Sequence, residues 1–362
     1  MSSSFGKIFS ISTFGESHGA ALGVIIEGCI PQLEVDYDLI KSDLARRKPG
    51  QSNLSSPRQE SDSFEILSGV FEGKTLGTPI AIMVKNTDAK SEDYTHLKEV
   101  FRPSHADYTY QEKYGIRDYR GGGRQSARET VARVLAGSFA KMLLRKMGIQ
   151  IQAFVSQVHQ IELTKPYWQL NLAQAEKNAV RCPDAEVAQQ MEQAIEEAKL
   201  AGDTLGGVIT CVVKHVPVGW GEPVFDKLQA DLAKAMLSIN AVKGFDYGLG
   251  FASVLQKGSE QNDSFMVKEQ LVRTNSNYSG GIQGGISNGE DIYFRVAFKP
   301  VASVKMEQDS VNIRHENVKI NIGGRHDSCV VPRAVPIVEA MAALVLADHY
   351  LRNVAVKVQP FA

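Results

Sequence analysis

Little in this 362-residue sequence marks it for a polyanion, a membrane or a metal. Lysine plus arginine number 40 against 41 aspartate plus glutamate, a formal net charge of −1. The excess positive charge that drives nucleic-acid or acidic-membrane binding is missing. The four cysteines, Cys29, Cys182, Cys211 and Cys329, lie far apart with no C-x-x-C pair. Neither a zinc site nor a disulfide framework is indicated, and a reducing cytoplasm is expected. No apolar run reaches the ~18 residues of a membrane span; the longest candidate, residues 340–347, is bounded by Glu339 and Asp348. Residues 1–7 have neither the basic start nor the apolar stretch of a signal peptide. No H-E-x-x-H or His/Cys cluster occurs, so no metal is expected. The run from Gly69 to Thr75 is one residue short of a P-loop, and no G-x-G-x-x-G follows a strand.

Proline is scarce at 13 residues, whereas glycine is plentiful at 31. Glycine without proline points to tight turns and close backbone approach. Alternating or β-branched runs predict strands at residues 7–13, 22–27, 80–85, 149–158, 207–216 and 292–299. Helical stripes fall on Val131, Val134, Leu135, Phe139 and Met142; on Val187, Met191, Ala194, Ile195 and Ala198; on Phe225, Leu228, Leu232 and Met236; and on Val338, Met341, Ala342 and Val345. A shorter helix is expected over residues 38–48. The two halves, roughly 1–150 and 200–362, read as distant copies. Gly23-Val24-Ile25 matches Gly207-Val208-Ile209, Gly69/Gly73/Gly77 match Gly281/Gly285/Gly289, and Gly122-Gly123-Arg124 matches Gly323-Gly324-Arg325. No linker separates them, so residues 1–362 are expected to form a single α/β domain with internal pseudo-duplication and a site between the halves.

The sharpest local signal is Arg120-Gly121-Gly122-Gly123-Arg124-Gln125-Ser126-Ala127-Arg128-Glu129. The S-x-x-E spacing of Ser126 and Glu129 predicts a capping box and a helix start at Ser126. Three glycines before a helix N-terminus suit an anion, and Arg124 and Arg128 add bidentate donors for phosphate or carboxylate. Around it Arg102, Lys113, Arg117, Arg120 and Arg133 outnumber the nearby acids. That local excess in a neutral chain fits a small polyanion. Gly15-Glu16-Ser17-His18-Gly19 reads as a strand end turning through two glycines, where a histidine can serve as a general acid. His105 lies in a loop at the edge of the basic region, and Asp327 in Arg325-His326-Asp327 is a candidate base.

Together these segments resemble chorismate synthase along essentially the whole chain. The match is carried by the Gly15–Gly19 motif, the run from Arg120 to Glu129 and Gly324-Arg325-His326-Asp327. Arg102-Pro103-x-His105-Ala106-Asp107, Ser238-Ile239-Asn240-Ala241-Val242-Lys243-Gly244 and Lys299-Pro300 add to it. The resemblance implies a β-α-β sandwich fold, a homotetramer and a carbon–oxygen lyase. That lyase converts 5-enolpyruvylshikimate 3-phosphate to chorismate by 1,4-elimination of phosphate, in the shikimate pathway to the aromatic amino acids, with reduced FMN. It also implies that Arg47, Arg128 and Arg325 hold the substrate's anionic groups and that His18 protonates the departing phosphate. His105 would supply a proton or positive charge at the flavin, and Asp327 would stand near flavin N5 and help remove the C6 proton. Flavin contacts carried over are Arg124, Gln125, Ser126, Asn240, Ala241, Gly285, Lys299, Pro300, Val301, Ala302, Ser303 and Arg325. Lys48, Asn53, Gln125 and Val301-Ala302 depart from the family pattern, and Asn53 stands where the family often has an arginine assigned to NADP. The compact length implies that NADPH acts only indirectly, through an external flavin reductase. The alternative is an FMN-binding redox protein or flavin reductase using the same site.

Overall fold

The computed structural model describes residues 3–51, 54, 60, 62–86, 97–322 and 326–356. Two five-stranded sheets enclose a layer of helices. The first has the spatial order Ser4–Phe5, Ser10–Gly15, Ala21–Glu27, Ile80–Lys85, Phe64–Ile66; the second runs Val242–Tyr247, Ile292–Phe298, Gly207–Lys214, Gln150–Val158, Ile161–Glu162. All their pairings are antiparallel. Period-two patterning aims one face of each sheet inward. Leu22, Val24 and Ile26 are buried while Ile25 is exposed, and Ile80, Ile82 and Val84 join the same core.

The helix Thr130–Arg145 packs on Ala21–Glu27, and the helix Val331–Val356 packs on Gln150–Val158 and Gly207–Lys214. The two helices also pack on each other, and Tyr37–Arg47 and Leu228–Leu237 complete the layer. Sequence stripes suggested one apolar face on each long helix. The structure instead buries residues 130–144 and 331–349 nearly all round, with few exceptions, because a sheet lies on either side of the layer. Val331–Val356 is long and apolar enough to cross a membrane, yet 89% of its most apolar window is buried inside the protein. Its apolarity is that of a core helix. Gly137 makes the central crossing possible: a Cβ there would sit 2.4 Å from that of Ala340.

The same order of parts occurs in each sheet's half of the chain. A central strand (Ala21–Glu27 or Gly207–Lys214) leads to a helix (Tyr37–Arg47 or Leu228–Leu237). A short hairpin follows, Val70–Phe71 with Lys74–Thr75 or Ile282–Gln283 with Ile286–Ser287. A strand paired to the central one (Ile80–Lys85 or Ile292–Phe298) comes next, and finally a long helix. The hairpin Phe265–Lys268/Leu271–Thr274 is an addition to the second set.

Two local expectations need correction. Phe225 is not on a helix face; the helix begins at Leu228 and Phe225 is 89% exposed. The capping box does not form. Two 3₁₀ turns, Gly123–Gln125 and Ala127–Glu129, precede the helix at Thr130, and Ser126 Oγ accepts from the Arg128 N–H at 3.3 Å. Glu129 pairs with Arg133 instead of returning to Ser126, since a guanidinium outcompetes a backbone amide for a carboxylate.

Candidate functional site

A cavity of about 460 Å³ opens where the loops at the ends of these elements meet. The size is ordinary for a small-molecule site, about 300–1,000 Å³. The 11-residue helix Tyr37–Arg47 is started by Asp36, whose carboxylate accepts from the Leu39 N–H at 2.8 Å. It delivers Arg47, its last residue, to the cavity wall. Arg128, Gln125 and Ser126 arrive from the turns before Thr130. Asn240 and Ala241 follow the helix Leu228–Leu237. Lys299, Pro300, Val301, Ala302 and Ser303 follow the strand Ile292–Phe298, His105 precedes the helix Asp107–Tyr114, and Asp327 precedes Val331–Val356. The backbone ties the parts: Asn240 Nδ2 donates to Gln125 O at 2.8 Å and Lys299 N to Ala241 O at 2.9 Å.

His18 does not itself line the cavity. It lies behind Gly121, which does; a Cβ on Gly121 would come within 2.3 Å of the imidazole Cδ2, so only glycine lets the ring sit there. Arg124 turns away from the cavity. Its guanidinium donates to Thr13 Oγ1 at 2.7 Å and Gly15 O at 3.2 Å, fixing the strand end that leads to His18. Gly285 is also outside the cavity, on the Ile282–Ser287 hairpin against Lys227. Arg325, Asn53, Gly323 and Gly324 lie outside the described residues.

Arg47 is 2% exposed, and among the described residues its Nε and Nη1 have no hydrogen-bond partner. Burial lowers its pKa to about 10, with Arg333 and Arg128 pushing the same way against Asp62 and Glu60. The side chain is thus a desolvated cation at neutral pH with unsatisfied donors. Such a group suits an anionic ligand. Asn240 Oδ1 and Ser17 Oγ are likewise buried without a partner among the described residues.

His105 sits between Pro103 O, 3.0 Å from Nδ1, and Ser303 Oγ, 3.1 Å from Nε2. A carbonyl only accepts, so Nδ1 carries the proton of the neutral ring and Nε2 accepts from the serine. Burial, then Arg102, lowers the imidazole pKa to about 4. His105 is therefore neutral at pH 7 in the free protein, whereas the sequence-based expectation gave it a proton or positive charge to supply. A ¹⁵N–¹H NMR titration should show the ring in the Nδ1–H form from pH 7 downward, protonating only near pH 4. Titration close to the ordinary 6.5 would contradict the burial argument.

Sequence reasoning missed three contributors, Arg333, Glu60 and Asp62, and saw Arg102 only as one member of a basic cluster and a motif. Arg333 ion-pairs with Asp327 and donates from Nε to Arg47 O at 3.1 Å; a lone arginine among the otherwise apolar residues 330–338 was the available signal. Arg102, held by Asp107 at 2.7 and 2.8 Å, lines the wall beside His105. Glu60 and Asp62 both contact Arg128, and nothing in their polar surroundings singled them out.

The chorismate synthase family model matches residues 9–351. Relatives bearing that name include those of Cytophaga hutchinsonii, 63% identical over 99% of both chains, and Christiangramia forsetii, 59% identical over 98% of this chain and 99% of that one. A crystal structure titled chorismate synthase superposes with a TM-score of 0.77 at 33% identity, covering 96% of this chain and 93% of the other.

Proposed function

The chain belongs to the chorismate synthase family and is a lyase converting 5-enolpyruvylshikimate 3-phosphate to chorismate; from that premise we propose the roles of its residues. The family uses reduced FMN. The cavity suits it: Ile239, Val301, Val330 and Ile337 line it together with Arg47, Arg102, Arg128 and Arg333, and Asn240 Oδ1 has no partner among the described residues. Gln125, Ser126, Asn240, Ala241 and the residues from Lys299 to Ser303 would hold the flavin. When bound, the reduced flavin supplies electron density toward the breaking C–O bond.

Arg47, Arg128 and Arg325 hold the substrate's phosphate and carboxylates. His18 gives a proton to the departing phosphate, a poor leaving group as the full anion, which requires that the phosphate lie at Gly121, the cavity residue against which the His18 ring is set. Asp327, oriented by Arg333, takes up the C6 proton. His105 orients the ligand's polar edge from a neutral ring. Arg124 acts from behind, by holding the strand end before His18. The observation that carries these assignments is the buried Arg47 guanidinium, whose Nε and Nη1 are unsatisfied among the described residues, beside Arg128 in the same cavity as Asp327.

Further proposals concern assembly and reductant. The chain forms a homotetramer, supported by exposed Phe251, Val254, Leu255, Phe265 and Val267; Gly285 would then meet a flavin only in a neighbouring copy. The halves 1–150 and 200–362 are pseudo-repeats of one unit, supported by the recurring order of strand, helix, hairpin, strand and helix. The protein works in the cytoplasm, with NADPH acting indirectly through an external flavin reductase. An anaerobic assay separates these points. Phosphate release should require substrate and photoreduced FMN and should fail with FMN and NADPH alone. NADPH oxidation without phosphate release would favour a flavin reductase.

A further inference from the structure

One carboxylate oxygen bridges the two cavity arginines. Glu60 Oε2 contacts Arg128 Nη1 and lies 3.6 Å from Arg47 Nη2. Asp62 stands on the same pair, touching Arg128 Nη1 through Oδ1 and reaching to 4.0 Å of Arg47 Nε through Oδ2. The two acids differ in where they stand. Asp62 is 4% exposed and does not line the cavity, whereas Glu60 does. Asp62 is therefore placed as a fixed counter-ion, and Glu60 occupies the point at which an anion entering the cavity would meet both guanidiniums.

We propose that Glu60 is a displaceable counter-anion that determines anion specificity, excluding small anions such as inorganic phosphate more strongly than the whole substrate. The proposal rests on the reading of Arg47 and Arg128 as the anion holders. A ligand anion approaching Arg128 meets a like charge already there, and how much of that penalty it takes depends on whether it has another cation to settle on. A lone phosphate can reach both guanidiniums only at the point Glu60 holds, and takes the penalty in full. The substrate, with a phosphate and two carboxylates, spreads its charge over several cations and can settle with Glu60 only partly displaced, so it takes less of the penalty. Arg47 Nε and Nη1 stay open among the described residues even with Glu60 in place, so the pair has donors in reserve for the larger ligand. Once elimination has split phosphate from the product, each fragment again competes singly with Glu60, which favours release.

The test is calorimetric titration of inorganic phosphate into the flavin-free protein at low ionic strength. Glu60→Gln keeps the shape and removes the charge, and should bind phosphate about tenfold more tightly, a typical coupling between interacting sites. Glu60→Ala, which offers no amide in its place, should shift the same way. In turnover with reduced FMN, phosphate inhibition should strengthen by a similar factor while the substrate KM falls less. Unchanged or weaker phosphate binding in both variants overturns the proposal, as does an equal fall in KM and in the phosphate inhibition constant. Arg128→Gln separates the proposal from its premise. If phosphate binding survives that change, the anion-holder reading fails. If it is lost and the Glu60 variants bind phosphate no tighter than the native chain, only the role of Glu60 fails.

Discussion

Arg47→Met is expected to lower kcat/KM about a thousandfold, roughly 4 kcal/mol at about 1.4 kcal/mol per factor of ten, without lowering the melting temperature. Methionine fills a similar space but removes the charge and all the donors. A hydrogen bond from a charged group contributes about 1.5–3 kcal/mol, and the two Arg47 nitrogens left open among the described residues would supply two of them to a ligand. Stability should move the other way. The Arg47 pKa is lowered to about 10 from the ordinary 12.5, first by burial. The folded state thus disfavours its charged form, and that penalty is present in full at every pH below about 10. Arg333 and Arg128, which repel it, are relieved by its loss. Activity falling while the melting temperature holds or rises is the signature of a group kept for function. A collapse of stability with proportionate loss of activity would instead make Arg47 a structural ion. Steady-state kinetics under anaerobic conditions with thermal melts of the same samples decide between them.

The elements were more legible than their surroundings. The strand expected at residues 80–85 is Ile80–Lys85, and the helix expected at 38–48 is Tyr37–Arg47, because period-two and period-3.6 patterning survive in elements with one exposed side. The stripes on 131–142 and 338–345 understated their helices, since a helix covered on both sides needs no polar face. Of the expected site residues, those from Lys299 to Ser303 and the Gln125-Ser126 and Asn240-Ala241 pairs do line one cavity, although they are spread along the chain from residue 125 to residue 303. Only the resemblance joined them. Charge state was not legible. His105 reads as an ordinary titrating histidine until its burial and the Arg102 guanidinium are seen. Arg124 looked like a ligand donor from its glycine run, and only the fold shows its donors committed to Thr13 and Gly15.

Glu339→Ala is expected to destabilise the protein by about 3–5 kcal/mol, the range for breaking one partner out of a buried ion pair. Glu339 is 3% exposed on the central helix. It accepts from Arg46 at 2.7 and 3.0 Å, from Lys141 at 2.9 Å and from the Ala153 N–H at 3.1 Å. One carboxylate thus ties Tyr37–Arg47, Thr130–Arg145 and the strand Gln150–Val158 to the helix Val331–Val356. Asp43, bound to Lys141 at 2.9 Å, and Glu176, bound to Arg46 at 2.6 Å, retain part of each cation's company, which keeps the loss within that range. Glu339→Gln preserves an acceptor for Ala153 and should lose about half as much. The pH dependence follows from the carboxyl. Burial alone would raise its pKa from the ordinary 4.5, but Lys141 and Arg46 hold it well below the usual carboxylate range. The folded state therefore binds fewer protons than the unfolded, so this contribution is complete above about pH 4.5 and drains away as the pH falls below it. Denaturant unfolding at pH 7 and pH 4 should show a steeper loss for the native chain than for Glu339→Gln. Equal slopes would mean that the cluster is not ionised as its geometry requires. Because Arg46 adjoins Arg47, loosening this joint should also blunt anion binding, so the Glu339 variants should lose substrate affinity along with stability, whereas Arg47→Met loses affinity alone.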